Sequence, residues 1–331
     1  TTSSAASDVY KRQVMCRAKV GDDVMDCDPT VARLEEMSAE MLGKEAGMFV
    51  PSGTQSNLCA LLSHCGRGDE YLVGQTAHTY LFEGGGAAVF GSIQPQSLDQ
   101  EQDGTLDLDK LAALVKPDDF HFARTKLLCL ENTTWGKVLP FDYLKLVQSF
   151  ASDHQLSLHL DGARLFNAST AAGISAIQLA KPFESVSICL SKGLGAPVGS
   201  VLVASVSFIK EAKRWRKMLG GGMRQSGMLA AAGIYVLENN IERLVEDHEN
   251  ARKLGQGLAG ISKLKVDPIQ TNMVFVDLSD LNGAAVSRSL EAKGIKIGGY
   301  TGGKKRLVTH LGICAKDIEH VVESFEEACT R

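Results

Sequence analysis

Apolar runs and amphipathic stretches alternate through the first two thirds of the chain. Short, apolar-rich segments at residues 47–51, 70–74, 125–130, 156–160, 185–190 and 199–203 read as buried strands. Residues 55–65, 108–115, 141–153 and 163–171 fall between most of them and carry apolar positions at helical spacing. Ahead of the first strand, a helical pattern runs through Val31, Leu34, Met37, Met41 and Leu42 to Gly43, with Asp28 or Thr30 placed to cap it. The alternation predicts an α/β fold with a mostly parallel sheet between helices.

After residue 208 the texture changes. Two long helical stretches, 208–218 and 223–258, are followed by strands at 273–276 and 305–309 and helices at 283–293 and 316–329. This predicts a large domain over residues 14–242 and a smaller C-terminal α+β domain over 243–331. Residues 1–13 stand apart, because Ser3 to Gln13 back-translates in frame to a transposase-type sequencing adapter. That stretch is read as foreign to the native chain, and no targeting argument rests on it.

Composition narrows the classes. A chain of 331 residues can bury a large core, and 33 glycines against 8 prolines favour many tight strand–helix junctions. Lys plus Arg is 35 and Asp plus Glu is 39, a formal charge of −4, so neither nucleic acid nor an anionic membrane is an expected partner. The 8 cysteines form no CxxC pair and most lie in apolar surroundings, which suits reduced thiols in the cytoplasm. No apolar run approaches the roughly 20 residues that span a bilayer, and no signal h-region is seen.

The candidate chemistry sits where strands end. Lys192 closes the apolar run Ser185-Val-Ser-Ile-Cys-Leu-Ser-Lys192 and opens into glycines, a place where backbone can crowd a ligand and a lysine can act as a nucleophile. Asp161, in His159-Leu-Asp-Gly-Ala-Arg164, ends another apolar run, where an unpaired carboxylate costs several kcal/mol to bury. Its partner is either the protonated nitrogen of a pyridine ring or Arg164. A lysine nucleophile and a carboxylate that strengthens an electron sink are what pyridoxal phosphate asks of a protein. Ser52-Gly-Thr-Gln-Ser-Asn57 lies between a strand and a helix, so it is either a phosphate cradle or a simple cap. It lacks the spacing of a nucleotide P-loop, and no GxGxxG follows an early strand. His78 and His121 are candidates for proton transfer or for structural hydrogen bonds. Arg214, Lys217 and Arg224 gather basic charge around Gly220-Gly-Gly, for a phosphate, a subunit contact or a solvated helix face. Arg306, on a late strand, can grip a carboxylate with its fork.

Six segments in order carry a resemblance to a known family: Gly21-Asp-Asp-Val with Asp28-Pro-Thr, Ser52-Gly-Thr-Gln-Ser-Asn, Ala77-His-Thr-Tyr-Leu-Phe-Glu83, His159-Leu-Asp-Gly-Ala-Arg, Cys189-Leu-Ser-Lys-Gly-Leu-Gly and Gly220-Gly-Gly-Met-Arg-Gln. Together they resemble the low-specificity L-threonine aldolases of pyridoxal-phosphate fold type I. The resemblance implies a seven-stranded sheet, Lys192 as the Schiff-base lysine, Asp161 on the pyridine nitrogen and His78 stacked on the ring. It implies phosphate contacts from Ser52, Gly53, Thr54 and Ser191, with Lys217 and Arg224 reaching in from a neighbouring subunit of a homotetramer. Arg164 and Arg306 would hold the substrate carboxylate, His78 or His121 would serve as base, and no metal is implied. The implied reaction is retro-aldol cleavage of L-threonine or L-allo-threonine to glycine and acetaldehyde. An aminotransferase or β-eliminating lyase on the same fold, or a scaffold without activity, is the competing reading. One departure is that the family's Arg-Ser-Asp-Thr-like start, whose serine touches the substrate carboxylate, is replaced by residues 1–13, so weaker substrate binding is expected.

Overall fold

The computed structural model describes residues 9–299 and 303–330. Seven strands, β1 (Ala46–Val50), β2 (Asp69–Gly74), β3 (Gln94–Leu98), β4 (Arg124–Glu131), β5 (Ser157–Gly162), β6 (Ser185–Cys189) and β7 (Ser200–Ala204), form one sheet in the order β1-β7-β6-β5-β4-β2-β3. The pairings of β3, β2, β4, β5 and β6 are parallel, and β7 runs antiparallel to both of its neighbours. Every residue of β2, β6 and β7 is buried, so that Asp69, Glu70, Ser185, Ser187 and Ser200 are enclosed along with their apolar neighbours.

The edge strand β3 lies outside the expected segments. Its sequence Gln94-Pro-Gln-Ser-Leu98 has no buried residue, and its proline is tolerated because one side of an edge strand needs no ladder partner. Asp28, not Thr30, caps the helix Pro29–Leu42, accepting from the N–H groups of Thr30 and Val31. Its other oxygen accepts from Gly21 and Gly227, tying the N-terminal segment to a distant helix. Gly43 ends that helix at φ +63°, a left-handed turn that favours glycine. The expected single helix over 223–258 is two, Gly227–Asn239 and Leu244–Ala259. The break falls at Asn240, whose buried amide donates to the carbonyl of Leu194 at 2.6 Å. Of residues 1–13, Val9 onward forms the helix Val9–Arg17, and Lys11 lies buried with Nζ 2.9 Å from the carbonyl of Gly195.

Residues from Leu244 onward build a second layer pair. Strands β8 (Lys265–Val266), β9 (Met273–Asp277), β10 (Gly298–Gly299) and β11 (Lys304–Val308) form an antiparallel sheet in the order β10-β11-β9-β8. Val274, Val276, Leu290 and Phe325 centre its own core. The helix Leu244–Ala259 bridges the two, with Leu244 in the large core and Leu254 and Leu258 in the small one. No helix among the described residues is long and apolar enough to cross a membrane. Cys59, Cys65, Cys129, Cys189 and Cys329 are buried free thiols, while Cys16, Cys27 and Cys314 are exposed ones.

Candidate active site

Parallel strands bring their C-terminal ends to one edge, where side chains that follow a strand converge on a common crevice. A cavity of 260 Å³ opens there, lined among others by Ser52, Gly53, Thr54, Asn57, His78, Asp161, Ser191 and Lys192. Asp161 ends β5 beside Glu131 at the end of β4, the two being partners in register. Lys192 follows β6, half-buried, and its amine has no hydrogen-bond or ion-pair partner among the described residues.

Asp161 is buried, with Oδ1 accepting from the N–H of Ala163 at 3.0 Å and Oδ2 from Nδ2 of Asn57 at 2.9 Å. It makes no ion pair with Arg164, so the pairing weighed from the sequence is not formed. Arg164 instead leaves its buried Nε without a hydrogen bond. Burial first, and then the nearby positive charge of Arg306, lower its pKa. Neither Arg164 nor Arg306 is among the residues lining the cavity; two guanidinium groups that repel each other, one with an unsatisfied buried donor, suit an anion.

The helix Gly53–His64 starts at the cavity. Ser52 caps it by accepting from the N–H of Gln55 at 3.2 Å, which leaves the N–H groups of Gly53 and Thr54 without partners among the described residues. Donors at a helix start with unpaired hydrogens favour a phosphate. A Cβ on Gly53 would stand 2.7 Å from Sγ of Cys189, so the backbone sits here as closely as glycine alone permits. The donor set therefore fits pyridoxal phosphate: an unpaired amine, a buried carboxylate for a ring nitrogen, and free N–H groups for a phosphate.

His78 borders the same cavity. Its Nδ1 lies 2.9 Å from Oε1 of Glu83, and its backbone N–H donates to Oε2 of Glu131 at 2.9 Å. The Glu83 hydrogen bond raises the imidazole pKa above its ordinary value. Burial raises both acids, Glu131 to about 7. The ligand atoms of His78, Glu83 and Asp161 lie within 4.8 Å of one another. The Asn57 amide donates to both carboxylates and joins the trio into one hydrogen-bonded unit.

The chain does not bring His121 to this pocket. It precedes β4, whose other end carries Glu131, and the strand alone is roughly 25 Å long. There His121 is 66% exposed and paired with Asp119 at 2.6 Å. Lys217 and Arg224 are also exposed and do not line the cavity; Arg224 pairs with Asp22 at 2.5 Å. Their neighbour Arg216 is structural, buried against Asp23 at 3.2 Å and the carbonyl of Phe49 at 2.8 Å. Asn57, Glu83 and Glu131 were assigned no role from sequence. Glu131 carries the signal that marked Asp161, a carboxylate closing an apolar run.

The beta-eliminating lyase family model matches residues 1–281. The chain is 55% identical over 311 residues to the low specificity L-threonine aldolase of Escherichia coli, spanning 93% of this chain and 92% of that protein. It is 42% identical over 328 residues to low-specificity L-threonine aldolase 1 of Arabidopsis thaliana, spanning 96% and 92%. The solved structure of threonine aldolase from Leishmania major superposes with a TM-score of 0.83 at 20% identity, over 97% of this chain and 96% of that one.

Proposed function

The chain belongs to the beta-eliminating lyase family and within it to the low-specificity L-threonine aldolases, and on that premise we propose that it cleaves L-threonine and L-allo-threonine to glycine and acetaldehyde with pyridoxal phosphate. The observation that carries the reading is the unpaired amine of Lys192 in one cavity with the buried carboxylate of Asp161. When bound, pyridoxal phosphate supplies an electron sink for the pair left on Cα after Cα–Cβ cleavage. Lys192 would hold pyridoxal phosphate by its aldehyde carbon. The Asp161 carboxylate would keep a proton on the ring nitrogen, and the N–H groups of Gly53 and Thr54, with Ser52 and Ser191, would hold the phosphate.

Arg164 and Arg306 grip the substrate carboxylate and so fix rotation about the N–Cα bond, which decides which bond to Cα breaks. His78 is the base, since it borders the cavity and His121 does not. With Nδ1–H given to Glu83, its Nε2 is left to take the β-hydroxyl proton. The Cα–Cβ bond then breaks, the β-carbon leaves as the aldehyde, and a proton returns to Cα from the Lys192 ammonium. Positioned proton transfer of this kind contributes about 10²–10⁴-fold. The exposed Lys217 and Arg224, outside their own cavity, suit a contact with a neighbouring subunit's site in a homotetramer.

Acetaldehyde release from L-threonine separates this reaction from its rivals. The reading predicts stoichiometric glycine and acetaldehyde without any keto acid; turnover that requires a keto acid, or that yields ammonia and 2-ketobutyrate, would replace it.

A further inference from the structure

Behind the cavity, polar side chains form one chain of hydrogen bonds whose direction can be read from its ends. Nδ2 of Asn57 lies 2.9 Å from Oδ2 of Asp161 and 2.9 Å from Oε1 of Glu83. Only the amide nitrogen has two hydrogens to give to two carboxylates, so Oδ1 of Asn57 faces Nε2 of His159, 3.2 Å away. That ring nitrogen carries the proton. Nδ1 of His159 is then the acceptor for Oγ–H of Ser185 at 2.7 Å, and the same hydroxyl oxygen accepts from Nε2 of His64 at 2.7 Å. Burial pushes both imidazoles down to about 3, so each stays neutral with one ring proton. A chain of neutral rings has a single polarity, and this one ends with two N–H groups donated toward the catalytic carboxylates.

We propose that Asn57 is a positioning residue for the reaction: held in one orientation by His64, Ser185 and His159, its amide orients Asp161 and keeps Glu83 an ionised acceptor for Nδ1–H of His78. The inference rests on the reading above, in which Asp161 serves the cofactor ring and Nε2 of His78 takes the substrate proton. Glu83 is the member at risk. Its side chain is 4% exposed, and burial favours its neutral form. A protonated Glu83 can donate to Nδ1 of His78, and the imidazole would then carry its own proton on Nε2, where it cannot accept one. The Asn57 hydrogen bond opposes this by stabilising the carboxylate. The charged groups facing the His78 ring are Glu83, Asp161 and Lys192, with Glu131 on its backbone N–H.

The test is Asn57→Ala in the holoenzyme, read by nitrogen-15 NMR of labelled histidine and by the pH profile of kcat/KM. Loss of the ionised partner should move the His78 titration and the acid limb of kcat/KM to lower pH together, by about one unit or more. The plateau should fall roughly ten- to a hundred-fold, the scale of one hydrogen bond to a charged group. Ser185→Ala touches neither carboxylate and frees His159 to reverse its polarity, so it should give a smaller shift of the same sign even if Asn57→Ala folds poorly. Reduced stability with an unmoved His78 titration and an unmoved limb in the folded variants would overturn the proposal. If the unaltered protein released no acetaldehyde, the functional reading would fail instead, while the ring titration would still decide the positioning role.

Discussion

Replacing Gly53 by alanine tests the phosphate cradle with a perturbation whose size follows from the structure. The added Cβ would stand 2.7 Å from Sγ of Cys189 and 3.6 Å from Oγ of Ser200. Comfortable contact lies near 3.5–4.0 Å, so the sulfur is overlapped by roughly 1 Å. Sγ has little room to retreat, since Cys189 is 5% exposed and its thiol is engaged by the Ser200 hydroxyl at 3.3 Å. Overpacking on this scale costs about 1–3 kcal/mol of stability. The first helical turn should relieve it by moving, which carries the N–H groups of Gly53 and Thr54 off the phosphate. Losing one hydrogen bond to a charged group, about 1.5–3 kcal/mol, weakens pyridoxal phosphate binding roughly 10–150-fold. Urea unfolding of the cofactor-free protein reads the first effect, and absorbance titration with pyridoxal phosphate reads the second. Adding Cys189→Ala removes the overlapped atom and should restore most of both losses. A single variant with wild-type stability and affinity, or a double variant no better than the single, would refute the cradle.

Two further outcomes follow from charges placed out of water. Arg306→Ala should raise KM for L-threonine about 10–150-fold through loss of a carboxylate ligand. It should also leave the substrate-free protein as stable or more so, because a like charge beside Arg164 is removed; a stability loss with unchanged KM, read by kinetics and urea midpoints, would contradict the anion site. His64 and His159 titrate near 3 in the fold against an ordinary 6.5, so the unfolded chain takes up protons that the fold refuses and stability falls as pH drops through that window. Glu35 and Glu131, raised by burial to about 7, act in the opposite sense above about pH 4.5, and below it Asp103 and Asp277, held low by hydrogen bonds, add to the decline, so the histidine share is read from the difference between variant and unaltered protein. His159→Gln should flatten the decline by up to one proton in urea midpoints measured from pH 4.5 downward, and equal slopes would contradict its neutral state.

Legibility in the sequence tracked burial. β2, β6 and β7 were readable because both faces of each are covered, and Lys192 and Asp161 because each stands where such a run ends. β3 was not, since a half-exposed edge strand needs neither an apolar run nor freedom from proline. The break at Asn240 was hidden because helical spacing continues across it, and only the tertiary bond to Leu194 shows why the chain turns. The site behind the cavity follows the same logic. His64, Asn57, His159 and Ser185 come from three elements, and sheet register and helix packing join them. No local pattern marks a hydrogen-bond chain of that kind. His121 is the converse case: histidine type suggests chemistry, but its loop lies at the far end of β4 from this chain's cavity, exposed and paired with Asp119.

The most direct measurement of the central claim is the absorption spectrum and acetaldehyde yield of Lys192→Ala beside the unaltered protein, both given pyridoxal phosphate and L-threonine. The unaltered protein should show the yellow band of lysine-bound cofactor and release acetaldehyde and glycine in equal amounts, while Lys192→Ala should lack the band and the turnover. Undiminished acetaldehyde release by the folded Lys192→Ala protein would contradict it.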